Sequence, residues 1–293
     1  MRTMEIGIGL PATHPGTPAR QLTEWARRAD GHGFSTLGIL DRLVYDNYEP
    51  LTTLAAAAAV TERIRLATSI LIAPYRADVA VLAKQAATVQ RLSEGRLVLG
   101  MAAGFREDDY GSNGTSARGR GARLDAMVER MRRIWAGTPE EGFEHPIGPL
   151  PEHGPPRLMF GGHSEAALRR AGRHGWAWIA GGSTGKDYRA NLAKARGVWS
   201  ADGIAEDAEP RRTALLYTAL GPDAEHHAEE YLGRYYAFLG PRFAGRVVAG
   251  ALTDAAALRD TVAEYRESGC DELLLFPCAA DPGQVDLFAK AVL

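Results

Sequence analysis

Cysteine is scarce in this chain, with two residues among 293, Cys270 and Cys278. They stand at opposite ends of one predicted strand, which is too far apart for a disulfide in an extended chain, so we expect two free thiols. Neither sign of charge dominates, since Lys and Arg number 34 and Asp and Glu number 36. With no strong field to attract nucleic acid or an anionic membrane, the expected partner is a small-molecule substrate.

Long apolar runs are also missing. No stretch approaches the ~20 residues needed to span a bilayer, and the amino terminus lacks a signal-peptide pattern, so we expect a cytoplasmic protein. The composition, 45% hydrophobic and 24% charged, is that of an ordinary globular protein. No change in composition marks a boundary along the chain. We therefore expect residues 1–293 to form a single barrel-sized domain.

Several catalytic motifs do not occur. There is no G-x-S-x-G, H-x-H or H-E-x-x-H, and His226 and His227 lie on a polar helix, so neither serine hydrolysis nor a metal site is predicted. Gly7, Gly9 and Ala12 match G-x-G-x-x-A, but the glycines lie inside the first predicted strand and no helix follows at once. A dinucleotide-binding turn needs a strand before it and a helix directly after it, so we reject that interpretation.

Strands and helices alternate along the chain. The apolar run 97–99 has the pattern of a parallel strand covered on both faces, and the helical stripe of residues 79–89 precedes it. A charged segment, 105–110, follows it and is predicted to be a loop. Predicted strands occupy residues 5–10, 36–40, 65–72, 97–99, 157–160, 176–180, 213–220 and 272–276.

Eight strands, each followed by a helix, predict the α/β class and a (β/α)8 TIM barrel. A doubly wound open sheet is the alternative. Residues 137–156, rich in Gly and Pro without periodicity, are predicted to form an excursion between strands four and five.

Two glycine turns follow neighbouring predicted strands. Gly162, His163 and Ser164 end the fifth strand and open a helix, and Gly181, Gly182 and Ser183 do the same after the sixth. Free backbone N–H groups and helix dipoles favour an anion at such turns, although Ser164 could equally be a simple helix N-cap. Two adjacent turns on one rim indicate a phosphate site.

Charged residues follow the second and third strands. Asp41 and Arg42 form either a local ion pair or part of an active site at the carboxyl end of the barrel. Arg76, after Pro74 and Tyr75, is a candidate for binding an anionic cofactor or substrate. The alternative is that it only balances charge at the rim. We take Asp41, Arg42 and Arg76 as the candidate catalytic residues.

Three stretches together carry a family resemblance. They are RIRLATSILIAPYRADVAVLAKQAATVQRLSEGRLVLGMAAGFREDDYGSNG, RGRGARLDAMVERMRRIWAG and GPPRLMFGGHSEAALRRAGRHGWAWIAGG. This chain resembles the bacterial luciferase-like group of flavin- or deazaflavin-dependent oxidoreductases over most of the sequence before Ser183. The resemblance implies a (β/α)8 barrel with the isoalloxazine ring over the strand ends.

The resemblance also implies which residues hold the cofactor. Ser69 and Ile70 stand where the family often has a non-prolyl cis peptide under the flavin, and we predict a cis bond there. Two departures matter: Arg42 follows Asp41 where deazaflavin dehydrogenases have histidine, and Ala103 stands where luciferases have arginine. The implied cofactor-binding residues are Ser69, Ile70, Gly162, His163, Ser164, Gly181, Gly182 and Ser183.

The resulting hypothesis is an FMN-using monooxygenase that acts on a small organic substrate. A deazaflavin (F420)-dependent reductase or dehydrogenase is the alternative, and a flavin-binding protein without turnover is a second one. Reduced flavin would come from a separate flavin reductase as a partner, and we expect a homodimer. No metal is expected.

Overall fold

The computed structural model describes residues 3–182 and 184–293. Its strands are β1 (Glu5–Gly9), β2 (Thr36–Ile39), β3 (Arg65–Thr68), β4 (Leu71–Ile72), β5 (Leu97–Ala102), β6 (Arg157–Gly161), β7 (Ala177–Ala180), β8 (Arg211–Thr218) and β9 (Glu272–Pro277). Every strand pairing is parallel.

The sheet closes on itself. Strands are paired in the order β3, β2, β1, β9, β8, β7, β6, β5 and β4, and β3 also pairs with β5. Since β3 and β4 are successive parts of one predicted strand, they count as one position, and the barrel has eight strand positions, here called staves. The predicted TIM barrel of the α/β class is thus confirmed.

Helices surround the barrel. They are α1 (Ala19–His32), α2 (Pro50–Ala58), α3 (Val79–Leu92), α4 (Glu107–Ser112), α5 (Arg120–Trp135), α6 (Glu165–His174), α7 (Gly185–Ala201), α8 (Ala224–Tyr235), α9 (Pro241–Ala249), α10 (Ala255–Glu267) and α11 (Gly283–Val292). Short 3-10 helices lie at Ala73–Tyr75, Glu206–Ala208 and Ala237–Leu239. No helix in the described ranges is long and apolar enough to cross a membrane.

Two predictions about local structure were wrong. The segment after β5 is not simply a loop, because its acidic run Glu107–Asp109 opens the helix α4, where carboxylates favour the positive helix end. The third strand is not continuous, because the Ser69–Ile70 peptide between β3 and β4 is cis. That cis bond was itself predicted and is confirmed. The excursion 137–156 contains no helix or strand.

Glycines inside the barrel leave room for large side chains. A Cβ at Gly9 would lie 2.3 Å from the Phe276 ring, and one at Gly7 would lie 2.4 Å from Leu274. These are the two glycines of the rejected dinucleotide pattern, and they serve packing between β1 and β9. Cys270 and Cys278 flank β9 as buried free thiols, as predicted.

Candidate active site

One cavity of about 720 Å³ lies at the carboxyl ends of the strands. Nine of the eleven predicted site residues line it: Asp41, Arg42, Ser69, Ile70, Gly162, His163, Ser164, Gly181 and Gly182. Arg76 is not among the lining residues, and Ser183 lies outside the described residues. The structure therefore brings predicted residues from four parts of the chain to one mouth.

The floor of the cavity is formed where β3 gives way to β4. Ile70 projects toward Gly161 at the end of β6, where an added Cβ would lie 2.9 Å from Ile70 Cδ1. Ser69 Oγ is buried and has no hydrogen-bond partner among the described residues, although the Ser69 N–H donates to Ile39 O over 2.7 Å. A buried hydroxyl at the floor can therefore bond a polar edge of a ligand.

The turn after β6 is held in place by its neighbours. Gly162 has φ +122°, which a residue with a Cβ rarely adopts, and its carbonyl accepts a hydrogen bond from Trp178 Nε1 over 3.0 Å. Ser164 is the N-cap of α6, accepting from the Ala167 N–H over 3.3 Å. Lys194 Nζ donates to His163 O over 2.7 Å. Burial and then Lys194 lower the pKa of His163, so its imidazole is neutral at pH 7.

The turn after β7 lies next to it, as the strand order requires. A Cβ at Gly181 would lie 3.9 Å from His163 Nε2, and one at Gly182 would meet Leu215 at ordinary contact distance. Thr184 caps α7 by accepting from the Asp187 N–H. The amino ends of α6 and α7 therefore open at the same part of the rim, where their first N–H groups lack partners within the helix.

A third helix also begins at the cavity, and its position there was not predicted from the sequence. Gly119, Arg120 and Gly121 at the start of α5 line the cavity, and Arg120 Nε donates to Gly104 O over 2.8 Å. Arg170 of α6 lines it too, bonded to Asp125 and to Gly121 O. The glycines of RGRG were the available signal, since Gly119 has φ +68° directly before the helix.

Asp41 pairs with Arg76 and not with its neighbour Arg42. The buried Asp41 carboxylate accepts from Arg76 Nη1 over 2.9 Å, from Tyr75 Oη over 2.9 Å and from the Ile72 N–H over 2.8 Å. Since Ile72 ends β4, Asp41 ties the end of β2 to the segment beyond the cis bond. Arg76 thus helps to fix the position of the cavity floor through its ion pair with Asp41.

Arg42 lies among aromatic rings instead. Its guanidinium carbon is 4.3 Å from the Tyr45 ring centroid and 5.1 Å from those of Tyr235 and Phe238, and Nη1 donates to Tyr235 O. Arg106 also lies over Phe238, with its guanidinium carbon 3.9 Å from the ring centroid. Sequence reasoning pointed to the charged segment after β5 but did not select Arg106 within it. It missed Tyr235 and Phe238, because α8 and the segment after it reach the mouth only through the tertiary fold.

No group of three or more His, Cys, Asp or Glu side chains within residues 3–182 and 184–293 could hold a metal ion. What the cavity offers is a buried hydroxyl at its floor, glycine turns at helix ends on one side and arginines on the other. This is the arrangement of a TIM-barrel enzyme with its site at the carboxyl ends of the strands.

A family model for luciferase-like monooxygenases matches residues 4–272. The chain belongs to this family, whose members are oxidoreductases.

A curated relative, an F420-dependent glucose-6-phosphate dehydrogenase of Nocardia farcinica, is 30% identical over 209 residues, which is 64% of this chain and 60% of the relative. The chain spans 55% of the first curated relatives that it matches.

Two solved structures share the fold. An F420-dependent secondary alcohol dehydrogenase in complex with an F420-acetone adduct gives a TM-score of 0.80 at 18% identity, covering 100% of this chain and 98% of that one. The oxygenating constituent of 3,6-diketocamphane monooxygenase from Pseudomonas putida, in complex with FMN, gives 0.71 at 21% identity with the same coverage. Relatives and neighbours thus include users of both cofactors.

Proposed function

We propose that this chain is an FMN-using monooxygenase acting on a small organic substrate. The observation that carries the proposal is the division of the cavity into a floor at Ser69 and Ile70 and a rim of glycine turns at the starts of α6 and α7. A planar ring with a phosphate-bearing tail matches this division. The tail would bind between Gly162, His163 and Ser164 on one turn and Gly181 and Gly182 on the other.

The residues present fit such a group. Ser69 Oγ is a buried hydroxyl without a partner in the described ranges, so it can donate to a polar edge of the ring. Gly161 keeps the surface beside Ile70 free of a side chain, since a Cβ there would crowd Ile70. N–H groups at two helix ends, with Arg120 near them, supply the positive potential that a phosphate requires.

FMN supplies the redox chemistry with oxygen when it is bound. The chain's own residues bind and orient the cofactor and exclude water from the mouth. Asp41 and Arg76 hold the floor in place, whereas Arg42 faces the mouth with the aromatic group around Phe238. A separate flavin reductase would deliver reduced flavin, and we retain the homodimer as a proposal.

An F420-dependent dehydrogenase is the second candidate. It is favoured by the relative from Nocardia farcinica and by the TM-score of 0.80 with the F420-dependent alcohol dehydrogenase. Against it stands Arg42, since deazaflavin dehydrogenases of this family usually have histidine at that position. F420 also carries a phosphate, so the same turns serve either cofactor.

Cofactor titration separates the candidates. Purified protein freed of cofactor is titrated with FMN and with F420, and binding is followed by absorbance and fluorescence. We expect FMN to bind at one site per chain and the protein to consume oxygen with reduced FMN. Binding of F420 alone, with its reduction by glucose 6-phosphate or a secondary alcohol, would overturn the proposal in favour of the second candidate. FMN binding without turnover would favour a flavin-binding protein.

A further inference from the structure

Arg42 is a buried cation that lacks a carboxylate partner within the described residues. It is 9% exposed, and in the part of the chain that the structure describes its guanidinium donates to main-chain carbonyls only, Tyr235 O over 2.8 Å and Val44 O over 3.3 Å. The Nε–H has no partner in the described ranges. The adjacent carboxylate, Asp41, is committed to Arg76. Burying a charge without an ionic partner is costly, so a negatively charged group of a ligand would stabilise this arrangement.

A second guanidinium faces the same space. The side chain of Arg106 is 10% exposed and forms ion pairs with Asp108 and Asp109, yet its Nη1 has no hydrogen-bond partner among the described residues. Asp109 is also the acceptor for the Leu43 and Val44 N–H groups. Asp109 therefore pairs with Arg106 and holds the backbone beside Arg42, but it forms no ion pair with Arg42 itself. Burial, and next the nearby Arg106, lower the pKa of Arg42, and the charges of Tyr235 and Asp109 only partly oppose this effect.

Aromatic rings surround these charges. Phe238 lies beneath both guanidiniums, 5.1 Å from Arg42 and 3.9 Å from Arg106, and it stacks on Phe105 with centroids 5.9 Å apart. Tyr235 covers another side of Arg42 at 5.1 Å. Phe105 and Phe238 remain exposed at the rim. A ligand whose acidic group binds the two arginines would therefore find, next to them, an aromatic surface suited to a flat apolar ring.

The position of Arg42 separates it from the proposed phosphate site. Around the barrel, three staves lie between β2 and β7 in either direction, so Arg42 after β2 stands opposite Gly181 and Gly182 after β7. Arg106 follows β5, but its guanidinium lies over the same Phe238 ring as that of Arg42. A cofactor phosphate held at the glycine turns thus leaves both guanidiniums for another ligand.

We propose that Arg42 and Arg106 bind the carboxylate of an aromatic organic-acid substrate, whose ring packs against Phe238 and Tyr235. This substrate class rests on the proposed function, because it assigns the cofactor to the opposite side of the mouth. Arg42 and Arg106 are then specificity-determining residues.

The test uses two probes of equal shape, 3-phenylpropionate and its neutral amide, 3-phenylpropanamide. Both are titrated by calorimetry into the protein with and without FMN. Because two charge-assisted hydrogen bonds reach the carboxylate and not the neutral amide, we expect the carboxylate to bind at least ~10-fold more tightly. Arg42→Gln and Arg106→Gln should each abolish most of that preference, whereas Arg42→Lys, which retains the charge, should keep part of it.

Arg246→Gln is the matched control, since Arg246 also lies over an aromatic ring, Phe243, but does not line the cavity. Its preference for the carboxylate should equal that of the unaltered protein. Equal binding of the two probes, or binding of neither, would overturn the substrate class. So would a loss of FMN affinity in Arg42→Gln with unchanged probe preference. If FMN fails to bind while the carboxylate preference persists, the proposed function fails and the acid site stands.

Discussion

Three arginines at the mouth of the barrel differ in what neutralises their charge. Arg76 has the buried carboxylate of Asp41, and Arg170 has Asp125, so both are structural ion pairs. Among the described residues, Arg42 contacts only carbonyl groups and aromatic rings. From the sequence, Asp41 and Arg42 could be placed at the rim because they follow a strand. Their partners could not be, since the pair Asp41 and Arg76 depends on the 3-10 turn Ala73–Tyr75 between β4 and α3.

His14 is a second residue whose properties come from the fold. Its ring stacks on Tyr231 with centroids 3.9 Å apart, and Nε2 lies 3.0 Å from Pro277 O. Burial lowers the pKa of His14 to about 4, and the hydrogen bond to Pro277 only partly opposes this effect. Since Nε2 must donate to the carbonyl, the neutral ring carries its proton there.

This pKa shift predicts a loss of stability in acid. Between pH 6.5 and 4 the unfolded chain binds the proton that folded His14 rejects, so stability falls as the pH is lowered through this window. Above pH 6.5 both states are neutral and the contribution is constant. In urea unfolding, the decline between pH 7 and pH 4.5 should be smaller by about 2 kcal/mol in His14→Gln, which retains a donor for Pro277.

The exposed His145 provides the control, and His145→Gln should reproduce the pH dependence of the unaltered protein. An identical decline in His14→Gln and in the unaltered protein would show that His14 titrates alike in both states.

At the scale of elements, β3 and β4 together form the third stave of the barrel, and both pair with β5. Thr68 Oγ1 at the end of β3 donates to Gly100 O over 2.7 Å, and a Cβ at Gly100 would lie 2.0 Å from Thr68 O. The two main chains thus approach more closely than any residue with a side chain allows. Sequence periodicity predicted both strands but not this contact, because an apolar run does not reveal the spacing of neighbouring backbones.

Gly100→Ala should therefore destabilise the protein by about 3 kcal/mol, at the upper end of the usual cost of overpacking, because the obstacle is backbone and cannot rotate away. Urea unfolding at pH 7 measures the change. Gly111→Ala is the control, since Gly111 lies in α4 with no atom near the added Cβ, and it should be nearly neutral. Equal effects of the two substitutions would show that the close approach of β3 to β5 is unimportant.

At the scale of the whole molecule, the two ends of the barrel have different roles. The amino end is closed by an ionic cluster in which Glu272 of β9 accepts hydrogen bonds from Ser35, Thr36 and Arg65. The carboxyl end carries the cavity. Alternation of strands and helices was enough to predict the barrel, and the barrel was enough to place the glycine turns together. Phe238 and the start of α5 were missed because their positions depend on packing between segments far apart in sequence.

The central claim is that the cofactor phosphate binds between the turns after β6 and β7. The most direct test compares the affinities of FMN and riboflavin, which lacks the phosphate, in Ser164→Ala and Gly182→Asp. Ser164 also caps α6, so the ligands are compared within each variant. A Cβ at Gly182 makes only ordinary contacts, so its variant adds mainly negative charge.

We expect the unaltered protein to prefer FMN, and Gly182→Asp to lower FMN affinity at least ~10-fold with little effect on riboflavin, because each charge-assisted bond to phosphate contributes ~1.5–3 kcal/mol. Ser164→Ala should reduce the same preference. Gly197→Asp, on the exposed part of α7, controls for added charge and should leave it unchanged. If Ser164→Ala and Gly182→Asp leave the preference for FMN over riboflavin as it is, the phosphate lies elsewhere and the site is wrong.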